Sequence, residues 1–571
     1  MSLASARWIS RPSAPPTFLR ELPRDLHPLV GRLLWNRGIA DADQADAFLH
    51  LSLRQLHDAG QLHGMDRAVA RIRKALDEGQ RVAVYGDFDT DGVTGVVLLH
   101  QVLTGLGLEV VPYIPKRNSE GYGLNLAAVE QLAAKAKLLI TVDCGISNVV
   151  EIERAQALGL DVIVLDHHTP PAALPHAYAL INPKLSGCAY PYKMLAGVGV
   201  AYKLVQALWK AGLRHPFQGR DLLDMVALGT VSDMAPLDGE NRVLVKFGID
   251  AMNLQSARPG LRALIEAAGV TGPIDCRKLG YTLGPRINSA GRIDDAVRAY
   301  QLLLCDDDEA ARAMAVELND LNTRRRGIQA EMEARAEELV RTSGKAAGRI
   351  IVLDDEDFPA GLVGLVAGRL VERFGRPVLL LERGEESCRG SARSVAGFSI
   401  LDALTECRDL FVKYGGHAMA AGFTLHHERL AELEARLLAI AARNLTDEML
   451  EPRLVYDAEL PLGSQSFELL DQVRLLEPFG QGNPEPLWAS FNMRVVEART
   501  MGRDQQHLKL RVHDGAGQMG EVVAWNEGHR RPEFLGRARV DIAFTLEVNE
   551  WQGRQRIQMK AKQVRLSQEN S

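Results

Sequence analysis

Long apolar runs are missing from the 571 residues. No stretch of about 18 uninterrupted apolar residues occurs, and the opening MSLASARWISRPSAPP has no apolar leader core, so the chain is expected to be neither exported nor membrane-embedded. Cysteine is sparse. The six present (Cys144, Cys188, Cys276, Cys305, Cys388, Cys407) stand far apart with no CxxC pair. That argues against a zinc ribbon or a disulfide framework and reads as reduced, mostly buried thiols of a cytoplasmic protein. An excess of positive charge is lacking too: 67 Lys/Arg face 73 Asp/Glu for a net charge of −6, so charge alone does not mark a nucleic-acid binder. The average hides a gradient, because Trp488 to Ser571 carries 14 Lys/Arg against 10 Asp/Glu and leaves the remainder acidic. An acidic body is compatible with a carboxylate metal site and a mildly basic tail with polyanion binding; neither signal is specific. Repeats and low-complexity tracts are absent. With 46% hydrophobic and 25% charged residues, this is an ordinary globular composition at a length for about three or four domains.

A missing glutamate decides how the first motif is read. VAVYGDFDTDGVTGVVLL, residues 82–99, sets Asp87, Asp89 and Asp91 at alternate positions before Gly92. A helix-loop-helix calcium site would need a bidentate Glu at about loop position 12, where this chain has Leu98, and RVAVYG is β-branched and apolar like a buried strand. What remains is a strand ending in carboxylates, a Gly turn and an apolar helix over Val93 to Leu106, the place where open α/β sheets put their ligand crevice. Three carboxylates on one loop repel one another and call for a divalent cation; a solvated turn is the plainer alternative.

The rest of the chain supplies a setting. Residues 1–45 read as an N-terminal extension with short helical patterns and Pro-rich turns. From 46 to 250, RVAVYGD, LEVVPYI, KLLITVDCG and LDVIVLDHH alternate with helices, which implies a parallel sheet with its strand ends gathered on one side. Residues 251–345 are mainly helical, and 306–344 read as one long connecting helix with aspartates at its start and a Gly at its stop. A second, smaller α/β domain spans 346–446. Residues 447–571 are strand-rich with closely spaced turns, as in a small five-stranded barrel.

Further acidic motifs fall on the same face of the first sheet: ITVDCGIS brings Asp143, VIVLDHHTP brings Asp166, His167 and His168, and ALGTVSDMAPL brings Asp233. A strand-end Asp alone is often a helix cap. Four such motifs together favour metal, since ions that assist phosphoryl chemistry take carboxylates with an imidazole or two, and an ion pair needs a bridging carboxylate.

YGDFDTDG, VDCG, LDHH and GTVSDMAPL resemble the four motifs of the DHH phosphoesterase superfamily, Asp166-His167-His168 being its signature. Within it the chain resembles the bacterial single-strand-specific 5′→3′ exonuclease family. KRNSEGYGL (116–124), NPKLSGCAYPYKMLAGVGVAYKL (182–204), GPRINSAGRIDDA (284–296), RGSARS (389–394), YGGHAMAAGF (414–423) and LEPFGQGNPEPLW (476–488) look like that family's segments in its order, across nearly the whole chain. The resemblance implies an α/β multidomain fold: a DHH parallel-sheet domain, a long connecting helix, a second smaller α/β domain and a C-terminal oligonucleotide-binding β-barrel. It implies two Mn²⁺ or Mg²⁺ ions held by Asp87, Asp89, Asp91, Asp143, His167 and Asp233, with Asp143 bridging. His168 would face the scissile phosphate, and Asp166 would orient the histidines by hydrogen bonding. Asp143, Asp166 and His168 form the catalytic set. Arg117, Arg286, Asn288, Ser391, Arg393, Gly416 and His417 match strand-binding segments; a surface ion pair or a tight helix–sheet contact is the plainer role for each. In the barrel, Trp525, Trp551, Lys509, Arg511, Arg554 and Arg556 have the chemistry to hold single strands, while core burial of either Trp is equally open. One departure stands out: DFPAGLVG, around Phe358, lacks the histidine of the family's Trp-His-Pro-Gly-like element. The implied activity is stepwise hydrolysis of single-stranded DNA to 5′-mononucleotides in repair and recombination, beside a helicase and a single-strand-binding protein, by a cytoplasmic monomer. A phosphodiesterase of short oligonucleotides or cyclic dinucleotides, and an inactive binding scaffold, are the alternatives. The first usually lacks the barrel and the second loses metal ligands; RNA as substrate stays open.

Overall fold

The computed structural model describes residues 6–567 other than 118, 255–257, 537 and 552, and of Trp551 only the backbone. A short strand, β1 (Arg7–Ser10), opens the described chain. The first sheet follows: β2 (Val82–Gly86), β3 (Val110–Tyr113), β4 (Leu138–Val142), β5 (Asp161–Leu165) and β6 (Ala179–Ile181), all parallel, in the order β3-β2-β4-β5-β6. Every residue of β2 and β4 is buried, as the continuous apolar run of a strand covered on both faces requires. Val82, Val84 and Ile140 pack with helices Thr90–Gly105 and Gly197–Lys210 on one face; Ala83 and Leu139 pack with Leu126–Ala133 and Val149–Ala157 on the other. Chain order reverses between β2 and β4, the switch point at which doubly wound sheets open a crevice beyond their strand ends.

The long helix runs Asp308–Ser343. The Asp307 side chain caps it at Ala310 N, and Gly344 (φ +71°) ends it. At 1.5 Å per residue it spans about 54 Å. Ala311, Ala315, Leu318 and Leu321 belong to the core of the first domain, while Met332, Ala336 and Val340 belong to that of the second. One helix therefore anchors both domains. The second sheet comprises β7 (Ile351–Asp355), β8 (Val378–Arg383), β9 (Ser387–Arg393), β10 (Phe411–His417) and β11 (Ala420–His426), ordered β10-β11-β9-β8-β7, with only β7 and β8 parallel.

The last domain holds β12 (Arg453–Tyr456), β13 (Ala458–Glu459), β14 (Trp488–Met501), β15 (His507–His513), β16 (Met519–Ala524), β17 (Arg539–Trp551) and β18 (Arg554–Leu566). The order β14-β15-β16-β18-β17 closes through β17–β14 pairing into a five-stranded barrel, and β13 lies along β14. The segment that sequence sets apart as an N-terminal extension is built into this domain. β1 pairs in parallel with β12, and Phe18, Leu22, Val30, Leu33 and Leu34 share one apolar core with Trp488, Leu508 and Phe544. A contact between opposite ends of a chain leaves no local periodicity, so the sequence pattern does not reveal it. Among the described residues no helix is long and apolar enough to cross a membrane.

Candidate metal centre and strand-binding cleft

The loop after β2 is shaped by its own carboxylates. Asp89 caps helix Thr90–Gly105, its Oδ1 accepting from the amides of Asp91 (2.9 Å) and Gly92 (3.1 Å). Gly92 is obligatory there, because a Cβ would lie 2.4 Å from the Asp87 carbonyl oxygen. Asp91 sits at the positive end of helix Gly197–Lys210 and accepts from Gly197 N (2.6 Å) and Val198 N (2.8 Å). Asp143, next after β4, has φ +61°, uncommon for a residue with a Cβ. That turn aims its side chain at the β2 loop, and Gly197 packs so closely that a Cβ would lie 2.7 Å from the Asp143 Cβ.

Asp166, after β5, accepts hydrogen bonds from Ile146 N (2.9 Å), His167 N (2.7 Å), His168 N (3.0 Å) and His168 Nδ1 (2.8 Å). It orients only the His168 ring; the His167 ring is held by the Leu195 backbone. This corrects the expectation that one carboxylate orients both rings. Tyr122 Oη donates to the Asp143 carbonyl (3.2 Å) and lies 3.1 Å from His168 Nδ1; its motif gives no sign of this place. His167 Nε2 points inward, 3.0 Å from Asp143 Oδ1, 4.0 Å from Asp91 Oδ2 and 3.9 Å from Asp233 Oδ2.

The six side chains expected as ligands thus come together in two groups. Ligand atoms of Asp87, Asp89 and Asp143 lie within 4.8 Å of one another, as do those of Asp91, His167 and Asp233, and Asp143 also groups with His167 and His168. Asp87 Oδ1, Asp143 Oδ1 and His167 Nε2 are buried without a hydrogen-bond partner. Each orphan costs about 1–3 kcal/mol, and two divalent cations, one in each group, would satisfy all three, so the donor set fits Mn²⁺ or Mg²⁺. Burial, reinforced by mutual repulsion, raises Asp87, Asp143 and Asp233 well above the usual carboxylate range and Asp91 to about 7. Burial also drops His167 to about 3. Against burial, their shared hydrogen bond lowers Asp166 and raises His168.

Between the two α/β domains lies a cavity of about 490 Å³ whose walls include Arg117, Arg292, Arg389, Ser391 and Arg393. It adjoins the metal centre: Arg117 stacks on Phe88, 4.0 Å from the ring centroid, between Asp87 and Asp89. The DFPAGLVG segment lines this cavity through Ala360, Gly361, Val363 and Gly364. A Cβ at Gly361 would lie 2.6 Å from the Arg292 carbonyl oxygen, and one at Gly364 2.9 Å from Arg393 Nη2. Arg292 and Arg389 escape the sequence reading, since only the cavity shows that three segments bring four guanidiniums together. Two expected strand-binding residues have inward partners instead. Asn288 Oδ1 accepts from Thr90 N (2.8 Å) and Thr90 Oγ1 (3.0 Å), which braces the carboxylate loop. Arg286 reaches Asn319 Oδ1 (3.1 Å) and the Thr282 carbonyl (2.6 Å), tying its helix to the long one. Gly416 (φ +146°) tightens the β10–β11 hairpin, where a Cβ would lie 2.4 Å from the Ala420 carbonyl oxygen. His417 is exposed on that hairpin, and its imidazole is lowered first by partial burial and then by the charges of His168 and Lys184.

The chain matches the DHH family, N-terminal domain, over residues 81–230, the DHHA1 domain over 347–443 and the RecJ OB domain over 456–563. It is 37% identical over 577 residues to the single-stranded-DNA-specific exonuclease RecJ of Bacillus subtilis, covering 100% of this chain and 72% of the relative. The chain belongs to the RecJ family. RecJ of Thermus thermophilus has been solved in complex with Mn²⁺ (TM-score 0.85, 33% identity, 99% of this chain and 80% of that one). It has also been solved with Mg²⁺ (TM-score 0.78, 32% identity, 99% and 79%).

In this RecJ-family barrel, Trp525 is exposed (47%) and borders a groove of about 500 Å³ with Arg499 and Lys509. Among the described residues of this domain, the fully buried indole is that of Trp488. Lys509 pairs with Glu521 at 2.7 Å; Arg511 lies 3.6 Å from Glu497 and Arg556 3.9 Å from Glu521. Arg554 is exposed, and the Trp551 side chain lies outside the described residues.

Proposed function

We propose that this chain is a metal-dependent exonuclease that hydrolyses single-stranded DNA from its 5′ end to 5′-mononucleotides. The observation that carries the reading is the pair of ligand groups meeting at Asp143, with partnerless buried oxygens and nitrogen turned toward one another. Asp87, Asp89 and Asp143 would hold one ion; Asp91, His167 and Asp233, with Asp143 beside His167, would hold the other. Bound Mn²⁺ or Mg²⁺ supplies activation of water and neutralises charge on the reacting phosphate. His168, held by Asp166 and Tyr122, presents Nε2 to the scissile phosphate as a hydrogen-bond donor. Arg117, Arg292, Ser391 and Arg393 hold the 5′-terminal phosphate in the adjoining cavity, where charge-assisted hydrogen bonds are strongest. Arg286, Asn288 and Gly416 shape the walls, and His417 closes the far side. The barrel holds the trailing strand by stacking on Trp525 beside Lys509. Such an enzyme serves repair and recombination in the cytoplasm, as a monomer supplied with single strands by a helicase and working beside a single-strand-binding protein.

The deciding experiment digests a 5′-phosphorylated single strand, labelled at either end, with Mn²⁺ and with chelator, comparing wild type with Asp143→Ala. Metal-dependent release of mononucleotides from the 5′ end, lost in the variant, is expected. An intact but bound strand under every metal tried would overturn the reading in favour of a binding scaffold. Cleavage confined to the shortest oligonucleotides would favour a small-substrate phosphodiesterase.

A further inference from the structure

Asp233 differs from the other proposed ligands in what holds it. It ends helix Leu223–Ser232, and the linker Met234–Asp238 then leads to helix Gly239–Asn253. Met234 has φ +61°, uncommon for a residue with a Cβ. From inside, Asn241 Nδ2 donates to the carbonyls of Pro236 (3.0 Å) and Met194 (2.6 Å). From outside, the support comes from the barrel domain: Leu237 N donates to the Gln481 carbonyl at 2.6 Å. The loop Gly480–Asn483 closes on itself through Gly480 N to Asn483 O (2.9 Å) and Asn483 N to Gly480 O (3.2 Å). Both its glycines lie against the linker. A Cβ on Gly480 would come 2.6 Å from Leu237 Cδ1, and one on Gly482 (φ +75°) 3.1 Å from Pro236 Cβ.

That loop is itself braced. Buried Asn483 donates to the carbonyls of Leu476 and Pro478 at 2.8 Å each and accepts from Arg37 Nε at 2.6 Å. Arg242, 1% exposed, spends its guanidinium on the carbonyls of Phe48, Leu475, Leu476 and Glu477. A charge buried against four carbonyls fixes where the barrel domain sits on helix Gly239–Asn253, so the loop reaches the linker in one register.

We propose that Gly480, Gln481 and Gly482 are positioning residues for the Asp233 ion site, making the barrel domain a structural part of the metal centre as well as a holder of the strand. This rests on the reading of Asp233 as a metal ligand given above. Groups that orient metal ligands typically cost about 10–100-fold in metal affinity when disturbed.

The test is Mn²⁺ binding to the full-length protein, by calorimetry and by the paramagnetic signal of free Mn²⁺, for wild type, Gly480→Ala, Gly482→Val and Asp233→Asn. The two glycine variants are expected to weaken one of the two Mn²⁺ ions, the one weakened by Asp233→Asn, by about tenfold or more, to lower kcat at limiting Mn²⁺ with KM for the strand unchanged, and to recover at high Mn²⁺. A merely structural role would lower activity at every Mn²⁺ concentration without recovery and would overturn the proposal. Unchanged Mn²⁺ affinity in Gly480→Ala, the milder change, would overturn it as well. If Asp233→Asn weakens Mn²⁺ binding while the glycine variants do not, the positioning role alone fails. If Asp233→Asn binds both ions as tightly as wild type, the ligand assignment itself fails.

Discussion

Replacing Asp166 by Asn removes one oxygen and one charge from a site that uses both. Oδ1 accepts from His167 N, His168 N and His168 Nδ1, and Oδ2 accepts from Ile146 N. The Asn oxygen keeps the three bonds on one side, and its NH₂ then opposes the Ile146 amide, leaving a buried N–H unsatisfied. Losing that bond to a charged acceptor costs about 1.5–3 kcal/mol. Loss of the anion beside His168 adds to it, so a destabilisation of about 2–4 kcal/mol is expected from these two losses. Asp166 lies below its ordinary value of 3.8 in the folded state. Its contribution is therefore present above that value and disappears as pH falls through the lower folded-state value. Equilibrium urea unfolding of the apoprotein near pH 7.5 should show the full loss, and the gap to wild type should close on acidification below about pH 4. Single-turnover hydrolysis should slow by about 10–100-fold at saturating metal, since His168 keeps its hydrogen bond to residue 166 but loses the anion that strengthens it. An Asp166→Asn protein within about 0.5 kcal/mol of wild type at pH 7.5, the scatter of an ordinary surface change, would refute this account of the motif.

Other expectations concern the ions and the strand. Asp91, raised to about 7, and Asp87, Asp143 and Asp233, raised further by burial and repulsion, favour the apoprotein while protonated. That stability is complete below their unfolded values and is lost as pH rises through the folded ones. Thermal stabilisation by Mn²⁺ should therefore be larger at pH 8 than at pH 5.5, and equal gains would contradict the carboxylate set. Arg393→Ala should weaken 5′-phosphorylated strands by about 1.5–3 kcal/mol and narrow the preference over 5′-hydroxyl strands; a preference left intact in competition digests would remove Arg393 from the terminal-phosphate pocket. Trp525→Ala should weaken binding of a long single strand by about 1–3 kcal/mol. Fluorescence anisotropy giving an unchanged dissociation constant would take Trp525 off the strand's path.

The parts of the fold visible in sequence are those that one segment encodes by itself. Val82–Gly86 and Leu138–Val142 are continuous apolar runs, and the long helix announces both ends, with Asp307 as cap and Gly344 in the left-handed region. The proposed ligands were visible for the same reason, each being a carboxylate or imidazole just past an apolar element. Asn288 and Arg286 have inward partners that their motif does not announce, since a motif records that a residue is needed without recording whether it faces a ligand or a neighbouring loop. Arg292, Arg389 and Tyr122 stayed hidden because their meaning lies in what other segments bring beside them. The place of residues 7–49 in the barrel domain was illegible for the same reason on a larger scale, its partners lying at the far end of the chain.

That last arrangement bears on how the protein is made. Phe18, Leu33 and Leu34 are finished early in translation, yet the core that shelters them, around Trp488, Leu508 and Phe544, is translated last. At about 5–20 residues per second, the ribosome leaves these apolar side chains without their partners for on the order of 25–100 s. The central domains can fold in that interval while the leading segment waits, and the emergence of the barrel domain closes the molecule by joining β1 to β12, the strand with which that domain begins.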